Sequence, residues 1–248
     1  MKYQDIVIYG GTSEIALELI KIYFDECNKI IVFCTNKNRF FDLCNEKQIL
    51  LEKQKIEIFE IDILDLEKNL QIVEQLKNSI SGIFWITGKT GDGSKEYLDL
   101  KSANKNLSIN FVNPTLMINE LSKKVIINKN SFIAVFTSVA GLRGRKKQLF
   151  YSSSKAGLIS YLSGLRQKVC EDKILVTTII PGYMNTKPFK EGNWNSLKFL
   201  ITEPDKVALK IKKAIQNKKE IIYINYFWKI IMIIIMLIPE KIFKRLSF

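Results

Sequence analysis

The chain has 248 residues, 47% of them hydrophobic and 25% charged, with 38 Lys and Arg against 25 Asp and Glu and no histidine. This length suits one large α/β domain with a substantial core, and the apolar content excludes a disordered chain. Because histidine is absent, Ser-His-Asp and Cys-His catalysis and histidine-ligated metal chemistry are excluded, so proton transfer near neutral pH must use Tyr, Lys, Cys or a carboxylate.

Apolar, β-branched runs of strand length recur along the chain, at residues 5–9, 29–34, 56–61, 82–87, 131–137, 174–180 and 220–224. Segments with helical periodicity separate them, at residues 14–25, 38–53, 66–79, 100–124, 151–171 and 203–217. Buried strands alternating with helices are typical of a parallel sheet covered on both faces. The sequence therefore predicts a single doubly wound Rossmann-type α/β domain over residues 1–225, with a seven-stranded parallel sheet.

The first predicted strand ends in a glycine turn that opens a helix. Residues 6–20 read IVIYGGTSEIALELI, with Gly10 and Gly11 in the turn and the helix beginning near Glu14. The N–H groups and positive dipole end of a helix suit a pyrophosphate, although an ordinary strand-turn-helix stays open on this motif alone. Since a carboxylate repels phosphate, we predict that the Glu14 side chain points away from such a ligand.

A Tyr-x-x-x-Lys spacing occurs three times, beginning at Tyr97, Tyr151 and Tyr183. Only Tyr151 follows a serine, Ser138, at the end of a strongly apolar strand, and only Tyr151 opens a helix rich in small residues. The four-residue spacing places its phenol and the ammonium group of Lys155 on one helix face. The alternative interpretation is a helix N-terminus with a chance lysine and a serine in a turn.

These three residue types suit proton transfer to a carbonyl oxygen. A tyrosine of ordinary pKa is a poor acid or base at neutral pH, and we expect the Lys155 ammonium group to lower the pKa of Tyr151. Tyr151 would then give a proton to a ketone oxygen or take one from an alcohol. Ser138 would hydrogen-bond the same oxygen.

These motifs resemble the short-chain dehydrogenase/reductase family, and the resemblance covers nearly the whole chain to about residue 225. The family's T-G-x-x-x-G-x-G turn is matched at residues 10–16, with Glu14 and Ala16 in place of two glycines. Its N-N-A-G motif is matched only at Gly88, and its P-G-x-x-x-T segment at residues 181–186. The resemblance implies an NAD(P)(H)-dependent oxidoreductase that interconverts a ketone and a secondary alcohol.

The family's functional residues carry over to the matching positions of this chain. Asn110 in LSINFVNP matches the helix asparagine that connects the active-site lysine to solvent through a water. The resemblance thus gives a catalytic set of Asn110, Ser138, Tyr151 and Lys155, without a metal. The expected cofactor contacts are Gly10, Thr12, Ser13, Ile15, Asp62, Ile63, Gly88, Pro181, Gly182 and Thr186.

The end of the second predicted strand bears on the choice of cofactor. An acidic residue at this place would bind the ribose 2′-hydroxyl group of NAD. Residues 34–36 include no acid, whereas Lys37 and Arg39 are basic. We therefore expect these two residues to contact the cofactor and to favour NADP(H) over NAD(H), although both could be solvated loop charges.

Residues 226–248 break the strand–helix alternation. Their apolar run, residues 230–238, is shorter than the roughly 20 residues that span a bilayer, and a basic amphipathic end follows it with Lys241, Lys244 and Arg245. This pattern is typical of a segment in a membrane interface. A helix packed against the core or in a dimer interface is the alternative.

The substrate is less well defined by the sequence. Residues 187–201 mix aromatic and basic side chains and could form a lid over an apolar substrate with an anionic group, or an amphipathic surface helix. Together with the tail, they resemble a subgroup that includes the ketoreductase partner in polyprenyl-phosphate ribose epimerisation and its cell-surface-glycan relatives. The hypotheses are therefore reduction of a ketone on a sugar or polyprenyl-linked sugar, reduction of a long-chain acyl ketone at a membrane, and a non-catalytic dinucleotide-binding scaffold.

Charge and cysteine content limit the other partners. Only five basic residues are arginine, which argues against sequence-specific nucleic-acid binding, and the four cysteines form no CxxC pair that would suggest zinc. The chain enters a strand without a signal-peptide pattern, so we expect a cytoplasmic protein, with peripheral contact at the inner membrane face as one option. The family resemblance implies a homo-oligomer built on the helices at 100–124 and 151–171.

Overall fold

The computed structural model describes residues 3–49, 55–77, 79–128, 130–185 and 199–246. Seven parallel strands form one sheet in the order β3-β2-β1-β4-β5-β6-β7. The strands are β1 (Tyr3–Tyr9), β2 (Cys27–Cys34), β3 (Ile56–Glu60), β4 (Ile80–Trp85), β5 (Phe132–Phe136), β6 (Leu175–Ile180) and β7 (Ile221–Tyr223). This order confirms the predicted doubly wound Rossmann-type domain, whose switch point lies between β1 and β4.

Helices connect the strands and cover both faces of the sheet. They are α1 (Glu14–Tyr23), α2 (Lys37–Glu46), α3 (Leu66–Gln75), α4 (Gly93–Leu98), α5 (Leu100–Leu107), α6 (Asn113–Ser122), α7 (Leu149–Lys168), α8 (Pro204–Gln216), α9 (Tyr226–Leu237) and α10 (Glu240–Phe243). A π-helical turn, Ser108–Val112, joins α5 to α6, and a 3₁₀ turn, Val139–Gly141, follows β5.

Side chains alternate between two cores along each strand, as the two-residue period of a strand requires. On one face, Ile6 and Ile8 of β1 pack with α1, α2 and α8. On the other face, Val7 and Tyr9 pack with α3, α6 and α7. Tyr9 is stacked between Phe33 and Trp85, at ring centroid distances of 4.1 and 4.3 Å. Burial of both faces explains why the strands are continuously apolar.

The predicted helix at 100–124 is not continuous. Pro114 has no N–H group, so it cannot donate the hydrogen bond that an α-helix directs to the carbonyl of Asn110. The chain widens here into the π-helical turn, in which the Asn113 N–H donates to the Ser108 carbonyl. The short helix α4 was not predicted, since its six residues, Gly93–Leu98, are too few to show a helical period.

The C-terminal helix α9 packs against the domain on one side. Its buried residues Trp228 and Met232 form a third apolar cluster with Val139, Ile180 and Leu200 near the carboxyl ends of β5 and β6. The opposite side of α9 is exposed. No helix among the described residues has the length and apolar content needed to cross a bilayer. Packing on the core, one of the two interpretations of the tail, therefore holds for the inner side of α9.

Candidate active site

The glycine turn after β1 is held tightly between β2 and β4. The N–H groups of Gly10 and Gly11 both donate to the carbonyl of Phe33, at 3.0 Å. Gly10 has φ of +94°, which disfavours other residues, and a methyl group at Gly11 would lie 2.2 Å from Cγ1 of Val32. Both glycines are therefore required, one by its backbone angle and one by space, and they keep the backbone close to the sheet edge.

Helix α1 begins at this turn and directs its free N–H groups towards a groove at the sheet edge. Ser13 is the N-cap, and its Oγ accepts a hydrogen bond from the N–H of Ile15 at 3.3 Å. Glu14, the first residue of the helix, lines the same cavity as Thr12 and Ser13. Whether its carboxylate would turn away from a bound phosphate stays a prediction.

Two cavities of about 430 and 350 Å³ meet at the carboxyl edge of the sheet. Residues from two segments, the turn after β1 and the loop after β4, line both of them: Thr12, Ser13, Ile86 and Gly88. The smaller cavity continues past Asp62 and Ile63, as expected for an adenine site, and Arg39 lines the larger one. The groove thus lies across the switch point of the sheet, where this fold class binds dinucleotides.

The side chains of Ser138 and Tyr151 are close enough for the Ser138 hydroxyl group to affect the pKa of Tyr151. Ser138 directly precedes the 3₁₀ turn and caps it, since its Oγ accepts a hydrogen bond from the N–H of Ala140 at 3.1 Å. Tyr151 lies in the first turn of α7. The end of β5 and the start of α7 thus bring two hydroxyl groups together that are 13 residues apart in the chain.

Lys155 follows Tyr151 by one helical turn and is buried. Its Nζ lies 5.8 Å from the centroid of the Tyr151 ring and donates a hydrogen bond to the carbonyl of Phe136 at 3.3 Å. Burial lowers the pKa of the Lys155 ammonium group from its ordinary 10.5 to about 8. The lysine is therefore placed beside the tyrosine and can lose its proton in mildly alkaline solution.

The pKa of Tyr151 is shifted upward, opposite to the sequence-based expectation. Burial is the largest influence and raises this pKa, while the hydrogen bond with Ser138 and the positive charge of Arg145 lower it by less. Lys155 lies beside the ring, and its own pKa is lowered by the same buried surroundings. Tyr151 is thus protonated at neutral pH, the form that a proton donor requires.

Asn110 lies in the π-helical turn and holds the loop after β4. Its Nδ2 donates to the carbonyl of Lys89 at 2.8 Å and to Oδ1 of Asn106 at 2.9 Å, and its Oδ1 accepts from the Lys89 N–H at 2.9 Å. A methyl group at Gly88 would lie 3.0 Å from Nζ of Lys155 and 3.2 Å from Oδ1 of Asn110. The structure therefore brings Asn110, Gly88 and Lys155 together.

The predicted nicotinamide segment follows β6 and lies against both the 3₁₀ turn and the tail. The carbonyl of Pro181 accepts a hydrogen bond from the Val139 N–H at 3.0 Å. Gly182 contacts the indole of Trp228, so a methyl group there would lie 2.0 Å from Nε1. Thr186 lies outside the described residues, as do residues 187–198 of the predicted substrate loop.

The two basic residues after β2 differ in their surroundings. Asn36 caps α2 and accepts a hydrogen bond from the Arg39 N–H at 2.7 Å. The guanidinium group of Arg39 lies 3.1 Å from the carboxylate of Glu46 while its side chain lines the larger cavity. Lys37 is exposed in the first turn of α2, and its N–H donates to a Glu60 carboxylate oxygen at 2.7 Å.

Several residues of the site were not found from the sequence. Arg145 places a positive charge near Tyr151, Asn106 holds Asn110, and Trp228 covers Gly182. Arg143 reaches the end of α9, where its Nη1 donates to the carbonyls of Ile235, Met236 and Ile238 at 2.7 to 3.0 Å. Only the rarity of arginine in this Lys-rich chain could have drawn attention to residues 143 and 145.

Comparison with known proteins agrees with this geometry. An uncharacterized oxidoreductase of Mycobacterium tuberculosis is 24% identical over 97% of this chain and 96% of its own length. The 3-oxoacyl-[acyl-carrier-protein] reductase FabG of Buchnera aphidicola is 29% identical over 53% of this chain and 56% of its own length. The crystal structure of a short chain dehydrogenase from Burkholderia cenocepacia in complex with NADP superimposes with a TM-score of 0.76 at 14% identity, over 96% of this chain and 99% of that one.

The family of this chain is identified by a family model that matches most of its length. The family model described as short chain dehydrogenase matches residues 4–195, which include β1 to β6, the glycine turn and the Ser138, Tyr151 and Lys155 cluster. This chain belongs to the short chain dehydrogenase family and is an oxidoreductase of that family.

Proposed function

We propose that the protein is an NADP(H)-dependent oxidoreductase that interconverts a ketone and a secondary alcohol, with Tyr151 as general acid and base. The observation that carries this proposal is the contact of Tyr151 with Ser138 beside the buried Lys155. Of these groups, Lys155 lies next to Gly88, which lines the groove at the sheet edge. A bound nicotinamide cofactor supplies or accepts hydride in this chemistry.

The residues present suit a dinucleotide. Gly10 and Gly11 leave no room for side chains at the turn, and α1 offers N–H groups and a positive dipole end to a pyrophosphate. Thr12, Ser13 and Ile15 would hold the phosphates, and Asp62 and Ile63 the adenine end. Pro181, Gly182 and Thr186 would hold the nicotinamide end.

The protein side of the reaction is a proton transfer. A tyrosine of ordinary pKa already carries its proton at neutral pH and burial raises the pKa of Tyr151 further, so its hydroxyl group holds a proton that it can give to a ketone oxygen. Ser138 positions that hydroxyl group and would donate a hydrogen bond to the same oxygen. Lys155 can return a proton to the tyrosine, and Asn110 holds the loop beside this lysine.

The preference for NADP(H) is supported by charge at the end of β2. Arg39 lines the larger cavity, and Lys37 begins α2 on the same side of the sheet edge. A 2′-phosphate carries up to two negative charges, which an arginine fork binds well. Cys34 and Thr35 follow the apolar part of β2 at the position where an acidic residue would favour NAD, and neither carries a carboxylate.

For the substrate we propose a ketone on a sugar or polyprenyl-linked sugar in cell-surface glycan synthesis, in the cytoplasm with peripheral contact at the inner membrane face. The apolar outer side of α9, close to the nicotinamide segment, supports a lipid-linked substrate. We also propose a homo-oligomer, since α4 and α5 expose Tyr97, Leu98 and Leu100, which a second copy would cover.

A long-chain acyl ketone is the second candidate substrate. The identity with the acyl-carrier-protein reductase of Buchnera aphidicola favours it, although that match covers 53% of this chain. The same proton chemistry would serve both substrates. A non-catalytic dinucleotide-binding scaffold does not require the contact between Tyr151 and Ser138 next to a buried lysine, so this contact counts against it.

The reaction is tested by following NADPH oxidation with a panel of ketoses, polyprenyl-phosphate-linked ketosugars and 3-oxoacyl thioesters. We expect one substrate class to be reduced and Tyr151→Phe to lower kcat by at least about 1000-fold, since it removes the only proton that the tyrosine can give. The dissociation constant for NADPH, measured by fluorescence, should stay unchanged in this variant. Equal kcat for Tyr151→Phe and the original chain would refute the mechanism.

A further inference from the structure

Helix α9 has two apolar sides with different surroundings. The inner side packs Trp228 and Met232 into the domain, whereas the outer side exposes large apolar residues to solvent. The outer residues are Tyr226, Phe227, Ile230, Ile233, Ile234 and Leu237. Residues 226, 230, 233 and 237 are three or four positions apart, as are residues 227, 230, 234 and 237, so the set forms one continuous stripe along the helix.

The inner side is held firmly, so the stripe is a fixed surface. Trp228 donates a hydrogen bond from Nε1 to the carbonyl of Leu200 at 3.0 Å and meets the Tyr183 ring edge-on at 5.0 Å. Arg143 binds the carbonyls at the end of α9 and a Glu240 oxygen at 2.8 Å, and stacks over the Phe243 ring at 3.9 Å. The helix is therefore docked through its inner side, which leaves the stripe as a surface of the folded domain.

Positive charge surrounds the exposed stripe. Lys229 is exposed beside it, and exposed Lys241, Lys244 and Arg245 follow it around α10. Glu240 is the one acidic residue of the sequence from 226 to 248, and its carboxylate is bound by Arg143. An apolar stripe bordered by cations is complementary to a surface that is apolar inside and anionic at its rim.

We propose that the outer side of α9, together with α10, binds the surface of an anionic lipid bilayer. The apolar stripe would enter the acyl boundary while the lysines and Arg245 contact lipid phosphates. A second copy of the chain fits this surface less well, because face-to-face pairing would bring the two sets of cations together. The binding itself requires no catalytic activity of the chain.

This surface also defines how the proposed active site meets the membrane, a step that rests on the proposed function. Trp228 contacts Gly182 of the nicotinamide segment on the side of α9 opposite the stripe. Val139, directly after Ser138, belongs to the same cluster. Only the thickness of one helix therefore separates the bilayer from the predicted nicotinamide segment, so a lipid-linked ketone can reach Tyr151 while its chain stays in the bilayer.

Vesicle co-sedimentation tests the binding surface with the full chain. We expect sedimentation with vesicles of phosphatidylglycerol and phosphatidylcholine, weaker binding to phosphatidylcholine alone, and at least a tenfold loss for Ile234→Glu with Leu237→Glu. Ile234 is 59% and Leu237 76% exposed, so the variant should fold normally. Ile127→Glu is the matched control, since Ile127 is 72% exposed at a distant loop, and should bind like the original chain.

Two further readouts separate the alternatives. Equal sedimentation of the Ile234 and Leu237 variant and the original chain would overturn the proposal, as would a lack of binding by the original chain. Light scattering shows whether the original chain forms a dimer without lipid. If that dimer is lost in the variant and the original chain binds no vesicles, the stripe contacts a second copy and the proposal is overturned. Failure of NADPH oxidation with every ketone would refute the proposed function and leave the vesicle result standing.

Discussion

The indole of Trp228 lies directly against the backbone of Gly182, so a methyl group at Gly182 would sit 2.0 Å from Nε1. This contact joins the C-terminal tail to the predicted nicotinamide segment. Trp228 cannot retreat easily, because its Nε1 also donates to the carbonyl of Leu200. Any side chain at Gly182 would therefore have to displace either the tail or the segment.

We expect Gly182→Ala to lower the free energy of unfolding by about 1–3 kcal/mol, since it overpacks a closed contact. Urea denaturation measures this change. Gly164→Ala is the matched control: among the described residues, no atom lies within 4 Å of a methyl group at Gly164 inside α7, so it should raise stability by about 0.5–1 kcal/mol. A Gly182→Ala chain as stable as the original would show that the tail does not press on this glycine.

Ser138→Ala should lower kcat by about 100-fold with a small change in KM, because the hydroxyl group positions Tyr151 and would stabilise charge on the substrate oxygen. Ser138→Thr keeps a hydroxyl group and should retain much of the activity. Steady-state kinetics with NADPH and the best ketone measure both. A change in KM alone would place Ser138 in substrate binding and outside the chemical step.

Lys155→Met should stabilise the fold in a pH-dependent way. Because the pKa of Lys155 falls from 10.5 in the unfolded chain to about 8 in the folded one, the folded state disfavours the charged lysine at pH below 8. This penalty, roughly 3 kcal/mol from the size of the shift, is relieved as the pH rises from about 8 to about 10.5. The stability advantage of the methionine variant should therefore shrink over that range.

Urea denaturation of both proteins at pH 7, 8, 9 and 10 checks this linkage. Lys124→Met is a suitable control, because that lysine binds the carbonyls of Glu74 and Leu76 at the surface. Its difference from the original chain should not follow the same pH course. A constant difference between Lys155→Met and the original chain at all four pH values would contradict a lowered pKa.

Arg39→Ala should raise KM for NADPH about tenfold and leave KM for NADH nearly unchanged, since the arginine lines the cavity where a 2′-phosphate would lie. Glu46→Gln is the matched control. It removes the ion pair at 3.1 Å but keeps the guanidinium group, so NADPH should bind as well or better. An equal rise in KM for NADPH and NADH in Arg39→Ala would mean that the residue does not select between the two cofactors.

Arg143→Ala should loosen α9 without unfolding the sheet, because three carbonyls at the end of the helix lose a shared charged donor. Hydrogen exchange followed by mass spectrometry should show faster exchange in residues 226–237 and unchanged exchange in β1. Lys146→Ala, an exposed neighbour, serves as the control. Unchanged exchange in α9 would show that its inner apolar contacts alone hold it.

The order of strands and helices could be predicted because it depends on local patterns. Buried parallel strands are apolar along their whole length, and each of the seven was found within a few residues of its ends. The contact between Ser138 and Tyr151 was also predictable, since a strand end and the next helix start meet at the same sheet edge. Chain geometry alone brings them together.

Long-range packing could not be predicted in the same way. The docking of Trp228 on Gly182 joins residues 46 positions apart, and the Arg143 hydrogen bonds to the end of α9 span more than 90. The direction of the Tyr151 pKa depends on how deeply folding buries the ring, which spacing does not reveal. The sequence indicated two possible environments for the tail, a membrane interface and packing on protein, but it did not reveal which side of α9 packs on the domain.

Because of the π-helical turn at Ser108–Val112, the position of Asn110 depends on the number of residues in this segment. One extra residue turns the two halves of a helix by about 100° relative to each other, so α5 and α6 present different faces to the domain. Deleting one residue from this turn would shift the register of α5 against α6, so Asn110 could not keep its hydrogen bonds to Lys89 while both helices keep their packing. The segment should therefore tolerate a substitution of its exposed side chain, Val112, but no change in the number of its residues.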